Sequence, residues 1–173
     1  MADIIILIGF MGSGKSSVGK ALAGRLGYKL IDSDKYIEQQ EGKSINDIFK
    51  ECGEAGFRNM ETEFLKKLSN ANEDIILSTG GGMPCHNNNA ALLKEIGLSV
   101  YLSASPSVIY ERVKHDTGRP LLMVDDKLGK ITSLLSEREK YYKDSADKVI
   151  ETDKLSVNEI ADKIIRLLKG EAN

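Results

Sequence analysis

Residues 4 to 22 read IIILIGFMGSGKSSVGKAL, and no other stretch limits the fold so tightly. Ile4 to Ile8 is apolar and mostly β-branched, the composition of a parallel strand buried on both faces. Gly9, Gly12 and Gly14 then fall within six positions, and Lys15 and Ser16 complete the pattern G-x-x-x-x-G-K-[ST]. Glycine loses more backbone freedom on folding than any other residue, so three so close together imply that the backbone itself approaches a ligand. In a loop of this pattern, backbone N–H groups wrap phosphates. The helix that follows adds its unpaired N–H groups and its positive dipole end. Lys15 is placed to reach the β- and γ-phosphates, and the Ser16 hydroxyl to ligate Mg²⁺. Val18, Leu22 and Leu26 continue at helical spacing, so strand, loop and helix stand in the required order.

Further strand-like runs follow at Lys29 to Ile31, Ile75 to Leu77, Leu98 to Leu102 and Lys148 to Ile150. Helical patterns separate them: Asp34 to Gln40, Ile45 to Lys50, Ala55 to Leu68, Asn88 to Ile96, Pro106 to Lys114, Leu128 to Tyr142 and Val157 to Leu168. Strands alternating with helices predict a parallel α/β sheet covered on both faces. With 173 residues, one domain spanning 1–173 is expected. The stretch HDTGRPLLMVDDKLGK breaks the rhythm with Gly118, Pro120, Gly129 and several charges, and reads as a mobile loop.

Charge and composition exclude other classes. The net charge is −2, so no sequence-independent grip on nucleic acid is expected. No apolar run approaches membrane-spanning length, and the N-terminus enters a strand at once, without the pattern of a signal peptide. Cys52 and Cys85 form no CxxC, which predicts free, partly buried thiols in a reducing cytoplasmic setting.

In parallel sheets, ligands bind beyond the carboxyl ends of the strands. The phosphate loop follows the first strand, Asp32 and Asp34 the second, and Thr79 with Gly80, Gly81 and Gly82 the third. In extended chain, Asp32 and Asp34 would share a face. One could hold Mg²⁺ through water while the other accepts a proton from an attacking hydroxyl, or one of them, or Ser33, could simply cap the next helix. The three glycines mean close backbone approach to a ligand or a tight turn. Arg58 and Glu61 lie one helical turn apart and can pair. Arg138 lies near a helix end, where it either meets the dipole or, with Arg58, grips a carboxylate bidentately. Arg119 in the loop is either a solvated charge or a group that closes over phosphates.

Together, GFMGSGKSSVGKALA, DSD, FRNMETEFL, STGGG, GRPLL and SEREKYY resemble the shikimate kinase family across nearly the whole chain. The resemblance implies a three-layer P-loop kinase fold, with a five-stranded parallel sheet in order 2-3-1-4-5, flanking helices and a mobile lid. It implies transfer of the γ-phosphoryl of ATP to the 3-hydroxyl of shikimate, with Mg²⁺, on the route to aromatic amino acids. Gly12, Ser13, Gly14, Lys15, Ser16 and Ser17 would bind ATP, with Arg112 stacking on adenine and Arg119 as the lid arginine. Asp34, Arg58, Glu61, Gly80, Gly81, Gly82 and Arg138 would bind shikimate, with Asp34 the base and Glu61 orienting Arg58. Catalysis would rest on Lys15, Asp34 and Arg119, and the metal on Ser16 and, through water, Asp32. The substrate-binding region would cover about 33–61 and the lid about 112–126. A cytoplasmic monomer whose partners are its two substrates is expected.

The chain departs from the family where Lys140 replaces a frequent proline and Leu155 occupies a position that is often polar. His86 and His115 match no family role; His86 is expected to begin a helix and His115 to face solvent. A gluconate kinase would share loop, sheet and lid but not the two arginines in these contexts. A GTP-dependent switch would need NKxD, which is absent; the D-x-x-G at Asp126 to Gly129 follows the loop rather than the third strand.

Overall fold

The structure is a computed structural model describing residues 2–171. Five strands, β1 (Ile4–Ile8), β2 (Lys29–Asp32), β3 (Ile75–Ser78), β4 (Leu98–Ser103) and β5 (Lys148–Glu151), form one parallel sheet in the order β2-β3-β1-β4-β5. Among the described residues, seven α-helices connect and cover them: α1 (Lys15–Leu26), α2 (Ser33–Glu41), α3 (Ile45–Leu68), α4 (Asn89–Ile96), α5 (Pro106–Val113), α6 (Lys127–Ser145) and α7 (Val157–Leu168).

The central strand explains the layering. Side chains alternate between the faces of a strand. Ile4, Ile6 and Ile8 therefore pack with Phe64 and Leu65 of α3, Leu93 of α4, and Ile131 and Tyr142 of α6. Ile5 and Leu7 pack on the opposite face with Val18 and Leu22 of α1 and Ile160 and Ile164 of α7. All five residues of β1 are buried, as the run IIILI requires. Because every strand runs the same way, the loops after β1, β2 and β3 open along one edge.

Within α3 the helix breaks at Gly53, where φ is 70° and ψ −178°, so the patterns at Ile45 to Lys50 and Ala55 to Leu68 form separate helical segments, as expected. Two local expectations change. His86 does not begin a helix. It ends a short 3-10 turn (Met83–Cys85) in extended conformation, because Asn87 and Asn88 both take positive φ and turn the chain before α4. Cys52 lies exposed on α3, whereas Cys85 is half-buried and its thiol pKa is raised by burial. His115 is exposed, as expected. The D-x-x-G has a structural use: Asp126 caps α6 by accepting from the Gly129 N–H at 2.9 Å.

Candidate active site

The loop between β1 and α1 has the backbone its glycines predict. Gly9, Gly12 and Gly14 take φ of 156°, 77° and 100°. A Cβ on Gly12 would stand 2.7 Å from Val113 Cγ1. Helix α1 begins without a side-chain cap, while α2, α3, α5, α6 and α7 each have one. Its first-turn N–H groups are thus left for an anion. Lys15 lies buried across the loop, its Nζ donating to the carbonyls of Gly9 at 2.6 Å and Phe10 at 3.0 Å. Burial lowers its pKa to about 8, opposed by the nearby negative charge of Asp34. Ser16 and Ser17 are exposed at the start of α1, and Ser13 is buried beneath the loop. Arg112 donates to the Gly12 carbonyl at 3.0 Å, so it touches the phosphate loop directly.

Asp32 and Asp34 do not share an extended face, because α2 begins at Ser33. Asp32 is the cap: its Oδ1 accepts from the N–H groups of Asp34 and Lys35, both at 3.1 Å. Its other carboxylate oxygen makes no hydrogen bond among the described residues. Asp34 stands in the first turn of α2. Burial and the adjacent Asp32 raise its pKa, while Lys15 and Arg58 pull it back.

The glycines after β3 make room for side chains. A Cβ on Gly80 would meet Asp34 Oδ1 at 2.6 Å, one on Gly82 would meet Arg58 Nη2 at 2.5 Å, and one on Gly81 would lie 3.6 Å from Arg138 Nη1. Each glycine therefore faces a residue expected in the substrate site. The run is pinned at two points: Gly80 N–H donates to Ser33 Oγ at 2.8 Å, and Tyr142 donates its hydroxyl to the Gly81 carbonyl at 2.7 Å. Thr79 ties the strand end to Leu7 through its hydroxyl at 3.0 Å.

Arg58 donates to Glu61 at 2.8 Å and to Glu54, more weakly, at 3.3 Å. Glu61 is fully buried. Desolvation pushes its pKa up to about 7 against the pull of Arg58, and its Oε1 has no hydrogen-bond partner among the described residues. Arg138 lies over the Phe10 ring, 5.9 Å from its centroid.

A cavity of about 670 Å³ brings together Asp34, Arg58, Glu61, Arg138, the three glycines and, from the lid, Arg119. Phe49 and Phe57 add apolar wall. A larger groove, about 940 Å³, runs along the β5 edge, but contains neither the phosphate loop nor these charged groups. Within the lid, Leu122 is buried while Leu121 and Met123 are exposed.

Among the described residues, no three His, Cys, Asp or Glu side chains cluster closely enough to hold a metal. Ser16 and the free oxygen of Asp32 fit Mg²⁺ that arrives with phosphates, the usual way this ion is bound. Sequence reasoning missed Tyr142 and Glu54. Tyr142 had no signal beyond its helical pattern; Glu54, four residues before Arg58, had the i,i+4 spacing of an ion pair.

The shikimate kinase family model matches residues 11–169. A shikimate kinase of Pelotomaculum thermopropionicum is 44% identical over 165 residues, covering 95% of each chain. One from Legionella pneumophila (strain Corby) is 44% identical over 167 residues, covering 96% of this chain and 95% of the relative. The solved shikimate kinase from Acinetobacter baumannii in complex with shikimate superposes with a TM-score of 0.89 at 37% identity, covering 98% of this chain and 94% of that one. With the family model covering residues 11–169 and these relatives matched over nearly their full length, the chain belongs to the shikimate kinase family.

Proposed function

We propose that this chain transfers the γ-phosphoryl of ATP to the 3-hydroxyl of shikimate, giving shikimate 3-phosphate and ADP. The observation that carries this reading is the pair Arg58 and Arg138, which line one cavity with Asp34. Two guanidinium groups suit the acceptor's carboxylate, and Asp34 suits its hydroxyls. The raised pKa of Asp34 fits a general base, since a base acts best when its pKa lies nearer the working pH. Glu61 orients Arg58, and Gly80, Gly81 and Gly82 leave the space the clamp occupies.

On the donor side, Gly12 to Ser17 hold the phosphates through backbone and hydroxyl groups, and Lys15 meets charge developing between the β- and γ-phosphates. Arg112 moves from the Gly12 carbonyl onto the adenine ring. Ser16, with Asp32 through water, holds Mg²⁺, which neutralises phosphate charge when bound. Arg119 completes the site when the lid, about residues 112 to 126, closes and excludes water. The whole chain acts as one kinase domain, as a cytoplasmic monomer with no nucleic-acid or membrane partner. Among the described residues, no helix is long and apolar enough to cross a membrane.

The test compares ADP release with ATP plus shikimate, ATP plus gluconate, and GTP alone. Turnover with shikimate only is expected. Turnover with gluconate and none with shikimate would reassign the acceptor.

A further inference from the structure

The lid arginine does not hang free. Arg119 Nε donates to Asp116 Oδ2 at 2.6 Å, and the other oxygen of the same carboxylate accepts from the Gly118 N–H at 2.9 Å. The Arg119 side chain makes no second hydrogen bond among the described residues. Both terminal nitrogens of its guanidinium therefore stay uncommitted. They are the two that form a parallel fork toward phosphoryl oxygens.

Asp116 is itself fixed from behind. Its N–H donates to the Val113 carbonyl at 2.9 Å, at the end of α5, the helix whose Arg112 reaches the phosphate loop. Beyond Arg119, the Leu122 N–H returns to the Arg119 carbonyl at 2.9 Å and the Leu122 side chain is buried in the core. Lys127 closes the base of the loop by donating to the Lys114 carbonyl at 3.1 Å. Arg119 also lies near enough to Lys15 for its charge to be felt there, and it lines the cavity that holds Asp34, Arg58 and Arg138.

From this we infer that Asp116 is a positioning residue for phosphoryl transfer. It grips Arg119 by Nε, so that the terminal pair faces the phosphate loop rather than solvent, and it tethers the lid arginine to α5. The inference rests on the proposed role of Arg119. An arginine oriented in advance has less freedom to lose when it meets the transferring group, and small misplacements of such a group are costly.

Asparagine and alanine separate the two bonds of Asp116. Asp116→Asn keeps an oxygen for the Gly118 N–H, so the turn survives, but offers an amide in place of the carboxylate that holds Arg119. Asp116→Ala loses both. Steady-state rates and calorimetric binding of shikimate would be measured for Asp116→Asn, Asp116→Ala, Arg119→Ala and the double variant Asp116→Asn/Arg119→Ala, with thermal melting to confirm folding. Asp116→Asn is expected to lower kcat by up to about a hundredfold while leaving shikimate affinity unchanged. In the Arg119→Ala background it should change nothing, because the residue it acts through is gone. A wild-type kcat for Asp116→Asn beside an impaired Arg119→Ala would overturn the inference and leave the role of Arg119 standing. An equal loss from Asp116→Asn with and without Arg119 would overturn it too, by assigning the effect to the turn. Full activity in Arg119→Ala would overturn the role of Arg119 itself, and this inference with it.

Discussion

Gly82→Ala should weaken shikimate binding while sparing the fold. The Gly82 backbone sits at φ −92° and ψ −13°, a region open to any L-residue, so alanine brings no backbone strain. Its methyl group, however, would lie 2.5 Å from Arg58 Nη2, 2.8 Å from Nη1 and 2.9 Å from Cζ. Ordinary contact begins at 3.4 Å, so the guanidinium must retreat by about 0.9 Å. That retreat stretches the 2.8 Å bond to Glu61 beyond hydrogen-bonding distance and carries the fork away from the carboxylate it is to hold. Losing a hydrogen bond to a charged group costs about 1.5–3 kcal/mol, whereas full truncation of a buried partner costs about 2–5 kcal/mol. Since Arg58 is displaced and not removed, the lower range applies. Shikimate affinity should fall about ten- to a hundredfold, at about 1.4 kcal/mol per decade. Calorimetric titration with shikimate and separately with ATP, beside a melting curve, reads this directly. Unchanged shikimate affinity in a folded variant would refute the carboxylate clamp at Arg58, and a matching loss of ATP affinity would show a general collapse of the site.

Four further outcomes follow from the charged groups. Asp34→Asn should lower kcat by about 10²–10⁴-fold at unchanged melting temperature, and Asp32→Asn should move the acid limb of kcat/KM to lower pH, because the Asp32 charge helps to raise the Asp34 pKa; a pH–rate profile checks both. ATP affinity should weaken above about pH 8 as Lys15 loses its proton, and Lys15→Arg, which does not titrate there, should remove that dependence in a binding titration. Glu61 has a pKa of about 7 in the folded protein against an ordinary 4.5, so between these values the folded state holds a proton that the unfolded chain has released. Stability should therefore fall as pH rises across that window, and denaturant melts of Glu61→Gln should lose this slope.

The donor half of the site was legible because it is written in consecutive residues. A phosphate cradle is a backbone structure. It needs glycines at fixed offsets, and Gly9, Gly12 and Gly14 take the positive φ that their spacing implied. The sheet was legible for a similar reason, since a strand buried on both faces must be apolar throughout, as Ile4 to Ile8 is. The acceptor half comes from α2, α3, α6 and the turn after β3, and its chemistry lies in distances that no spacing specifies. Asp32 and Asp34 show the limit. Their spacing left both a shared extended face and a helix cap open; the helix begins between them, which makes Asp32 the cap and sends Asp34 into the cavity. The glycine run shows a second limit. Its sequence signalled close approach and left the approaching partner unnamed. The structure supplies side chains: Asp34, Arg138 and Arg58 stand where the Cβ atoms of residues 80, 81 and 82 would be, or just beyond them. The absence of methyl groups at residues 80 and 82 thus leaves room for the Asp34 carboxylate and the Arg58 guanidinium beside one small cavity that Arg138 also lines, while Ser33 and Tyr142 tie down the backbone beneath them. The specificity of the acceptor site is therefore built from a missing side-chain volume as much as from the charges themselves.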